Sequence, residues 1–357
     1  MLSEVKINNV RNIKKGHLKL SNNINIIVGP NGSGKTSVLE AIYLLSRSRS
    51  FRTQSINNVR TKGEEHLVVY GATEEKERTN QIAIKKSPKE TKIRINGKNE
   101  KKASELSEHL KVHLIRPESQ TLLERGSSAR RTFIDWGVFH VKQSFLAKAK
   151  TYNHLLKQRN KLLKQRDQST LSTWSEKLAE YGTIVDKERE AYLVLLQQEL
   201  KKTVLALLGD VDISLTYEKG WSDKLNLGSA LINSLDRDLF KGYTTVGPHK
   251  ADIVLRVGSY LAQDYLSRGQ VKLLVMALYL AQIRLLRNIG NQDVCVLVDD
   301  LSAELDKKNV NKVLMLLYKT GAQILLTATS LESLTEWSVL ADTKTFHVEQ
   351  GLITEGA

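Results

Sequence analysis

The apolar residues of this chain switch between two periods, and the switches mark its elements. Residues 2–7 alternate apolar with polar, and residues 17–20 repeat the alternation after Arg11-Asn12-Ile13-Lys14-Lys15-Gly16. Alternation of this kind predicts two strands joined as a hairpin. Residues 24–28 are apolar except for Asn25, β-branched and bounded by glycine, which predicts a buried parallel strand. A glycine-rich stretch follows, and then Val38, Leu39, Ile42 and Leu45 recur at helical spacing. Strand patterns return at residues 67–70, 81–85 and 92–95, with Asn96-Gly97 as a two-residue turn. Residues 112–115 read as another short strand, closed by Pro117.

From residue 145 to 208 the chain has no proline and a single glycine, Gly182. Leu155, Leu156, Leu162 and Leu163 repeat at sevenfold spacing and predict one helix; Trp174, Leu178, Tyr181 and Val185 predict a second. Asp167-Gln168-Ser169-Thr170 breaks them. Residues 192–208 extend or follow the second helix. The pattern predicts arms of a few turns in a compact lobe, not an extended coiled coil. Residues 211–217 read as a strand, then a polar linker runs to about residue 240. Gly247-Pro248-His249-Lys250 forms a turn into a strand that reaches Leu255. The expected divisions are 1–120, a mostly helical lobe at 121–240, and 241–357.

Composition narrows the partners. The 357 residues are 41% hydrophobic and 26% charged, as expected of a folded chain, and the net charge is +15. A balance this basic favours a polyanion, nucleic acid ahead of an anionic membrane. Lys85, Lys86, Lys89, Lys92, Arg94, Lys98, Lys101 and Lys102 concentrate the charge, and Ser46-Arg47-Ser48-Arg49-Ser50-Phe51-Arg52 is a second basic stretch. The single cysteine, Cys295, lies in an apolar run; it excludes an internal disulfide and suits a reducing cytoplasm. Residues 1–10 lack the apolar core of a signal peptide. Residues 273–281, bracketed by Lys272 and Arg284, are too short to span a bilayer and are expected to form a buried core helix.

Candidate chemistry begins at Gly29-Pro30-Asn31-Gly32-Ser33-Gly34-Lys35-Thr36. Between a strand and a helix, this spacing makes a phosphate cradle. Glycines let successive N–H groups point at phosphate oxygens, and the helix N-terminus adds partial positive charge. Lys35 would neutralise the β- and γ-phosphates, and the Thr36 hydroxyl would hold Mg²⁺. Residues 294–298 form an apolar strand ending in Asp299-Asp300, the Walker B arrangement: the first acid orients Mg²⁺ and the second polarises a water. Ser267 stands at the N-cap of a long apolar helix, with Gly269 and Gln270 offering free N–H groups to an anion.

With Leu301-Ser302-Ala303-Glu304-Leu305-Asp306 these elements resemble, in order, the P-loop, signature, Walker B and D-loop of ABC-type ATPase heads of the SMC-like group. Within that group the chain is most similar to the RecF family, through Arg130-Arg131-Thr132-Phe133-Ile134-Asp135-Trp136-Gly137, Gly247-Pro248-His249-Lys250 and the short helical insertion. The resemblance spans nearly the whole length. It implies an α/β fold, an ABC-type P-loop head with a mixed sheet plus a compact helical lobe. It also implies ATP sandwiched between two head-to-tail copies, with Ser267 and Gly269 of one reaching the γ-phosphate held by the other. Lys35, Asp300 and Ser267 would be catalytic, Asp300 standing where the wider class carries glutamate, so turnover should be slow. The implied partners are duplex or gapped DNA, RecR, and RecO and RecA downstream, in a cytoplasmic, nucleoid-associated protein. Thr327 or Thr329 stands in place of the switch histidine, Ser119-Gln120 is the candidate Q-loop, and Arg268 replaces a signature glycine. Rival readings are a transporter subunit, for which no coupling surface is visible, an ATP-gated scaffold with negligible hydrolysis, and a nuclease-bearing head, for which the residues after Thr329 leave no room.

Overall fold

The computed structural model describes every residue except 76–77, 117–118, 120, 125, 291–292, 335–336, 338–341 and 357. Its elements follow the chain as β1 (Leu2–Val10), β2 (Ile13–Lys19), β3 (Ile24–Val28), α1 (Lys35–Arg47), β4 (Leu67–Glu75), β5 (Arg78–Lys86), β6 (Thr91–Ile95), β7 (Lys98–Glu100), α2 (Ala103–His109) and β8 (Lys111–Ile115). Then come α3 (Thr121–Glu124), α4 (Ser127–Val141), α5 (Ser144–Gln165), α6 (Leu171–Leu208), β9 (Ile213–Glu218), α7 (Leu227–Asn233), α8 (Leu235–Lys241), β10 (Asp252–Val257), β11 (Tyr260–Leu261) and α9 (Ala262–Tyr265). The chain closes with α10 (Arg268–Gly290), β12 (Val294–Val298), α11 (Lys307–Tyr318), β13 (Gln323–Ala328), β14 (Thr343–Glu349) and β15 (Leu352–Glu355). Contacts divide it into one unit of residues 1–119 and 287–357 and another of residues 120–286.

In the first unit, α1 packs against β1, β4 and β5 on one side and β8 and β13 on the other. One sheet is antiparallel, in the order β2-β1-β4-β5-β6-β7; the other runs β15-β14-β3-β13-β12-β8 and is parallel except for β15. Both faces of α1 are therefore apolar, with Val38, Leu39, Ala41, Ile42, Leu44 and Leu45 all buried. β3 and β12 are buried at every position, as parallel strands covered on both sides must be. The mixed α/β architecture is the expected one.

The first hairpin is tighter than the sequence pattern suggests. Val10 pairs directly with Ile13, so the turn is Arg11-Asn12 alone, with Arg11 in the left-handed region at φ 56°. Ile13 joins the strand because it is fully buried. Asn96 and Gly97 turn β6 into β7 as expected, both at positive φ.

The second unit is mainly helical, with a small sheet ordered β11-β10-β9. The break between α5 and α6 falls where expected: Arg166 is left-handed and the Asp167 N–H closes on the Leu162 carbonyl at 3.0 Å. The expectation of arms of a few turns is corrected, because α6 is one helix of 38 residues, about 57 Å long. Gly182 does not interrupt it, since a Cβ there would lie 2.4 Å from Leu227 Cδ2 and the glycine is a close-packing position. The expected polar linker before residue 240 instead holds α7 and α8. Asn226 caps α7 by accepting the Ser229 N–H at 2.8 Å, a local signal that outweighs the polar composition. α10 is longer than its apolar centre suggested, and over Arg268–Ile289 it is apolar enough by length and composition to cross a membrane. With 72% of that window buried inside the protein, it is a core helix, as expected.

Candidate phosphate-binding site

Three neighbouring parallel strands end together. β3 leads into the glycine loop, β13 ends at Thr327-Ala328, and β12 ends at Asp299-Asp300. Open α/β sheets bind ligands in the crevice beyond such carboxyl ends. The order of the sheet, with β13 between β3 and β12, sets the polar side chains against one another.

Each glycine of the loop has a distinct reason. A Cβ on Gly29 would lie 2.1 Å from the Val348 carbonyl, so only glycine lets the loop pass β14. Gly32 and Gly34 hold φ of 79° and 122°, conformations that L side chains rarely adopt. Pro30 and Asn31 are exposed, while Ser33 is buried and its Oγ has no hydrogen-bond partner among the described residues. The Lys35 ammonium is folded back onto the Gly29 and Pro30 carbonyls at 2.7 and 3.0 Å. Burial lowers its pKa, against the opposing pull of Asp300 and Asp299.

Thr36 donates to Asp299 Oδ1 at 3.0 Å and Thr327 donates to the same oxygen at 2.9 Å. The Thr327 hydroxyl in turn accepts the Asp300 N–H at 2.9 Å. Burial raises the Asp299 pKa, and the charge of Asp300 adds to it, while the bonds from Thr327 and Thr36 oppose the rise. Among the described residues no cation lies within ion-pair distance of Asp299. A divalent cation fits this gap: a hydroxyl and a carboxylate are hard oxygen donors, and two protein ligands leave Mg²⁺ its usual share of phosphate and water. Asp300 is left-handed, with φ 42° and ψ 60°, and its Oδ1 accepts from Ser302 of the D-loop at 3.0 Å. Of the two candidate sensors, Thr327 is buried against Asp299 and Thr329 is exposed. Of the candidate Q-loop, Ser119 Oγ accepts the Arg116 N–H at 3.0 Å, and Gln120 lies outside the described residues, as does Pro117.

Contacts that sequence reasoning missed brace this loop. Asn12 Nδ2 donates to the Ser33 carbonyl at 2.8 Å, and the Gly351 N–H donates to the same oxygen at 2.9 Å. Arg11 makes a two-pronged ion pair with fully buried Glu40 of α1, at 2.8 and 2.9 Å. Ser50 also bonds Glu40, so the basic stretch after α1 is tied to the same carboxylate.

The signature candidate belongs to the second unit. Ser267, Arg268, Gly269 and Gln270 are all exposed at the start of α10. Ser267 Oγ accepts the Gln270 N–H at 3.3 Å and Gln270 Oε1 accepts the Ser267 N–H at 3.0 Å, a capping box. The box fixes the turn and engages the Gln270 N–H, which was expected to be free, while Ser267 and Gly269 remain exposed. The other motif residues of this unit are braces. Arg130 pairs two-pronged with Asp252, and Arg189 with Asp135. Tyr152 and His249 Nδ1 share a bond of 2.7 Å.

Fold and loop together define a P-loop head of the ABC type. The family model described as the RecF/RecN/SMC N terminal domain matches residues 1–354, and the chain belongs to that family, in its RecF branch. It is 40% identical over 355 residues to the DNA replication and repair protein RecF of Shewanella woodyi, spanning 99% of this chain and 97% of that one. The RecF of Shewanella loihica is 39% identical over 355 residues, with 99% of each chain covered. The solved structure of the recombination mediator protein RecF with ATP, from the RecFOR pathway, superposes with a TM-score of 0.89 over 100% of this chain and 97% of that one, at 28% identity. An Smc head bound to the C-winged helix domain of ScpA shares the fold at TM-score 0.60 and 15% identity, covering 99% and 96%.

Proposed function

We propose that this protein is an ATP-dependent DNA-binding protein of recombinational repair, in which ATP draws two copies together head to tail around duplex DNA near a gap or single-strand junction. The observation that carries the reading is the pairing of a P-loop braced for phosphate with a solvent-facing capping box at Ser267. In this reading Gly29, Pro30, Asn31, Gly32, Ser33, Gly34 and Lys35 of one copy cradle the triphosphate, and Ser267, Gly269 and Gln270 of the other meet its γ-phosphate. Thr36 and Asp299 would hold Mg²⁺, which would supply charge neutralisation to the triphosphate. Asp300 accepts a proton from the attacking water; the water oxygen bonds phosphorus as the bond to the β-bridging oxygen breaks, leaving ADP and phosphate. Its side chain is one methylene shorter than glutamate and already bonded to Ser302, which supports slow turnover; stimulation by DNA is part of the proposal. Loss of the γ-phosphate removes the bridge between copies.

Charge supports DNA as the partner. Lys85 stands directly opposite Lys92 on the exposed face of β5 and β6, with Arg94 on the same face and Glu90, 3.2 Å from Lys92, offsetting them only in part. Like charges directly opposite are unfavourable in a sheet, and a phosphate backbone relieves them. Kinship with a mediator of the RecFOR pathway supports RecR and RecO as the protein partners; the proposal adds RecA loading as the outcome, in replication and the SOS response, in a cytoplasmic, nucleoid-associated setting. Sedimentation with and without ATP–Mg²⁺ and a gapped duplex tests the reading. A concentration-dependent dimer that DNA stabilises and salt weakens is expected; a monomer under all conditions overturns it.

A further inference from the structure

The Ser33 carbonyl is held from outside its own loop by two donors that come from opposite ends of the chain, Asn12 at 2.8 Å and Gly351 at 2.9 Å. A trans peptide is planar, so fixing that oxygen on one side aims the following N–H, that of Gly34, to the other. The Asn12 amide cannot be turned round, because the Ser33 carbonyl can only accept and so requires the NH₂ on its side; the Oδ1 then accepts the Ser37 hydroxyl at 3.2 Å. The turn that carries it is anchored in turn by Arg11 on Glu40. Asn12 is itself solvent-exposed, so core packing does not account for this placement.

From this geometry we infer that Asn12 is a positioning residue for nucleotide: it sets the Gly34 N–H as a phosphate donor before ATP arrives. The inference rests on the phosphate-binding reading of the loop. An aspartate at position 12 has no proton to donate and sets a negative oxygen against the Ser33 carbonyl, so it should be worse than alanine, although the two differ little in bulk.

The test is titration of the full-length protein with a fluorescent N-methylanthraniloyl ATP and Mg²⁺, comparing wild type, Asn12→Ala, Asn12→Asp and Ser37→Ala, alongside melting of the nucleotide-free proteins. Asn12→Ala should bind about tenfold more weakly. Asn12→Asp should bind more weakly still, and Ser37→Ala only slightly more weakly than wild type. Melting of Asn12→Ala should stay within about 2 °C of wild type. For wild type and Asn12→Ala, turnover at saturating ATP should match while KM rises. Wild-type affinity in both Asn12 variants overturns the inference, as does a loss that merely tracks lowered melting temperature. Failure of the wild type itself to bind the probe overturns the phosphate-binding reading instead.

Discussion

Thr36 and Asp299 lie 263 residues apart in sequence and share a 3.0 Å hydrogen bond, with Thr327 closing on the same carboxylate oxygen. The contact joins the first turn of the P-loop helix to the end of the Walker B strand, and it concentrates oxygen donors where a cation would sit. It also leaves a partly buried carboxylate with no cation within ion-pair distance among the described residues. A site arranged for a ligand is less stable without it.

Asp299→Asn should therefore stabilise the nucleotide-free protein at neutral pH while abolishing Mg²⁺-dependent nucleotide binding. Burial raises the Asp299 pKa, so just above the unfolded value the native state binds more protons than the unfolded chain. Stability then falls as pH rises through that window, and the asparagine variant escapes the loss. A melting temperature higher by about 1–4 °C is expected, with calorimetric titration of ATP showing no Mg²⁺-dependent heat.

His249 gives the opposite slope. Its Nε2 faces the Thr244 carbonyl, which can only accept, so Nε2 carries the proton and Nδ1 accepts from Tyr152. Burial pushes its pKa down to about 4, helped by Lys250 and Arg131 and opposed by the Thr244 bond and Asp238. Between that value and the ordinary 6.5, the unfolded chain binds more protons, so stability is full above about 6.5 and is lost as pH falls toward 4. The difference in urea midpoint between wild type and His249→Gln should narrow across that range as the wild type weakens, and stay constant above it.

Arg159 and Asp238 form a buried ion pair at 2.8 Å, with 1% and 0% of their side chains exposed. Thr244 and Ser175 complete the guanidinium, and Thr245 and Ser234 the carboxylate. Arg159→Met strands the carboxylate and should cost about 3–5 kcal/mol. Urea unfolding followed by circular dichroism should show the loss in the helical transition, with nucleotide affinity of the folded protein unchanged.

How much of this was readable in the sequence depends on the range of each interaction. The glycine loop, the β12 strand with its two acids, and the Ser267 cap are local patterns, and each falls where its spacing requires. Contacts made at long range were not legible. Asn12 reads only as a polar turn residue, and Gly351 lies more than three hundred residues beyond Ser33, so neither carries a local mark of its role. Thr327 could be named only as one of two candidates, because the choice depends on strand register. The predicted second helix already ran across Gly182, but the close packing that requires a glycine there was not legible, since the space it leaves is filled by Leu227 and Tyr152 from other helices.

Head-to-tail sharing of each nucleotide is tested most directly by mixing two inactive variants. Lys35→Ala lacks the phosphate lysine, and Ser267→Arg blocks the cap that should meet a neighbour's nucleotide. Neither should dimerise alone with ATP–Mg²⁺ in sedimentation velocity. Mixed in equal amounts, they should form a one-to-one dimer with one bound nucleotide, because one intact loop then faces one intact cap. A mixture that stays monomeric while wild type dimerises, or a Ser267→Arg protein that dimerises unaided, would contradict the shared site.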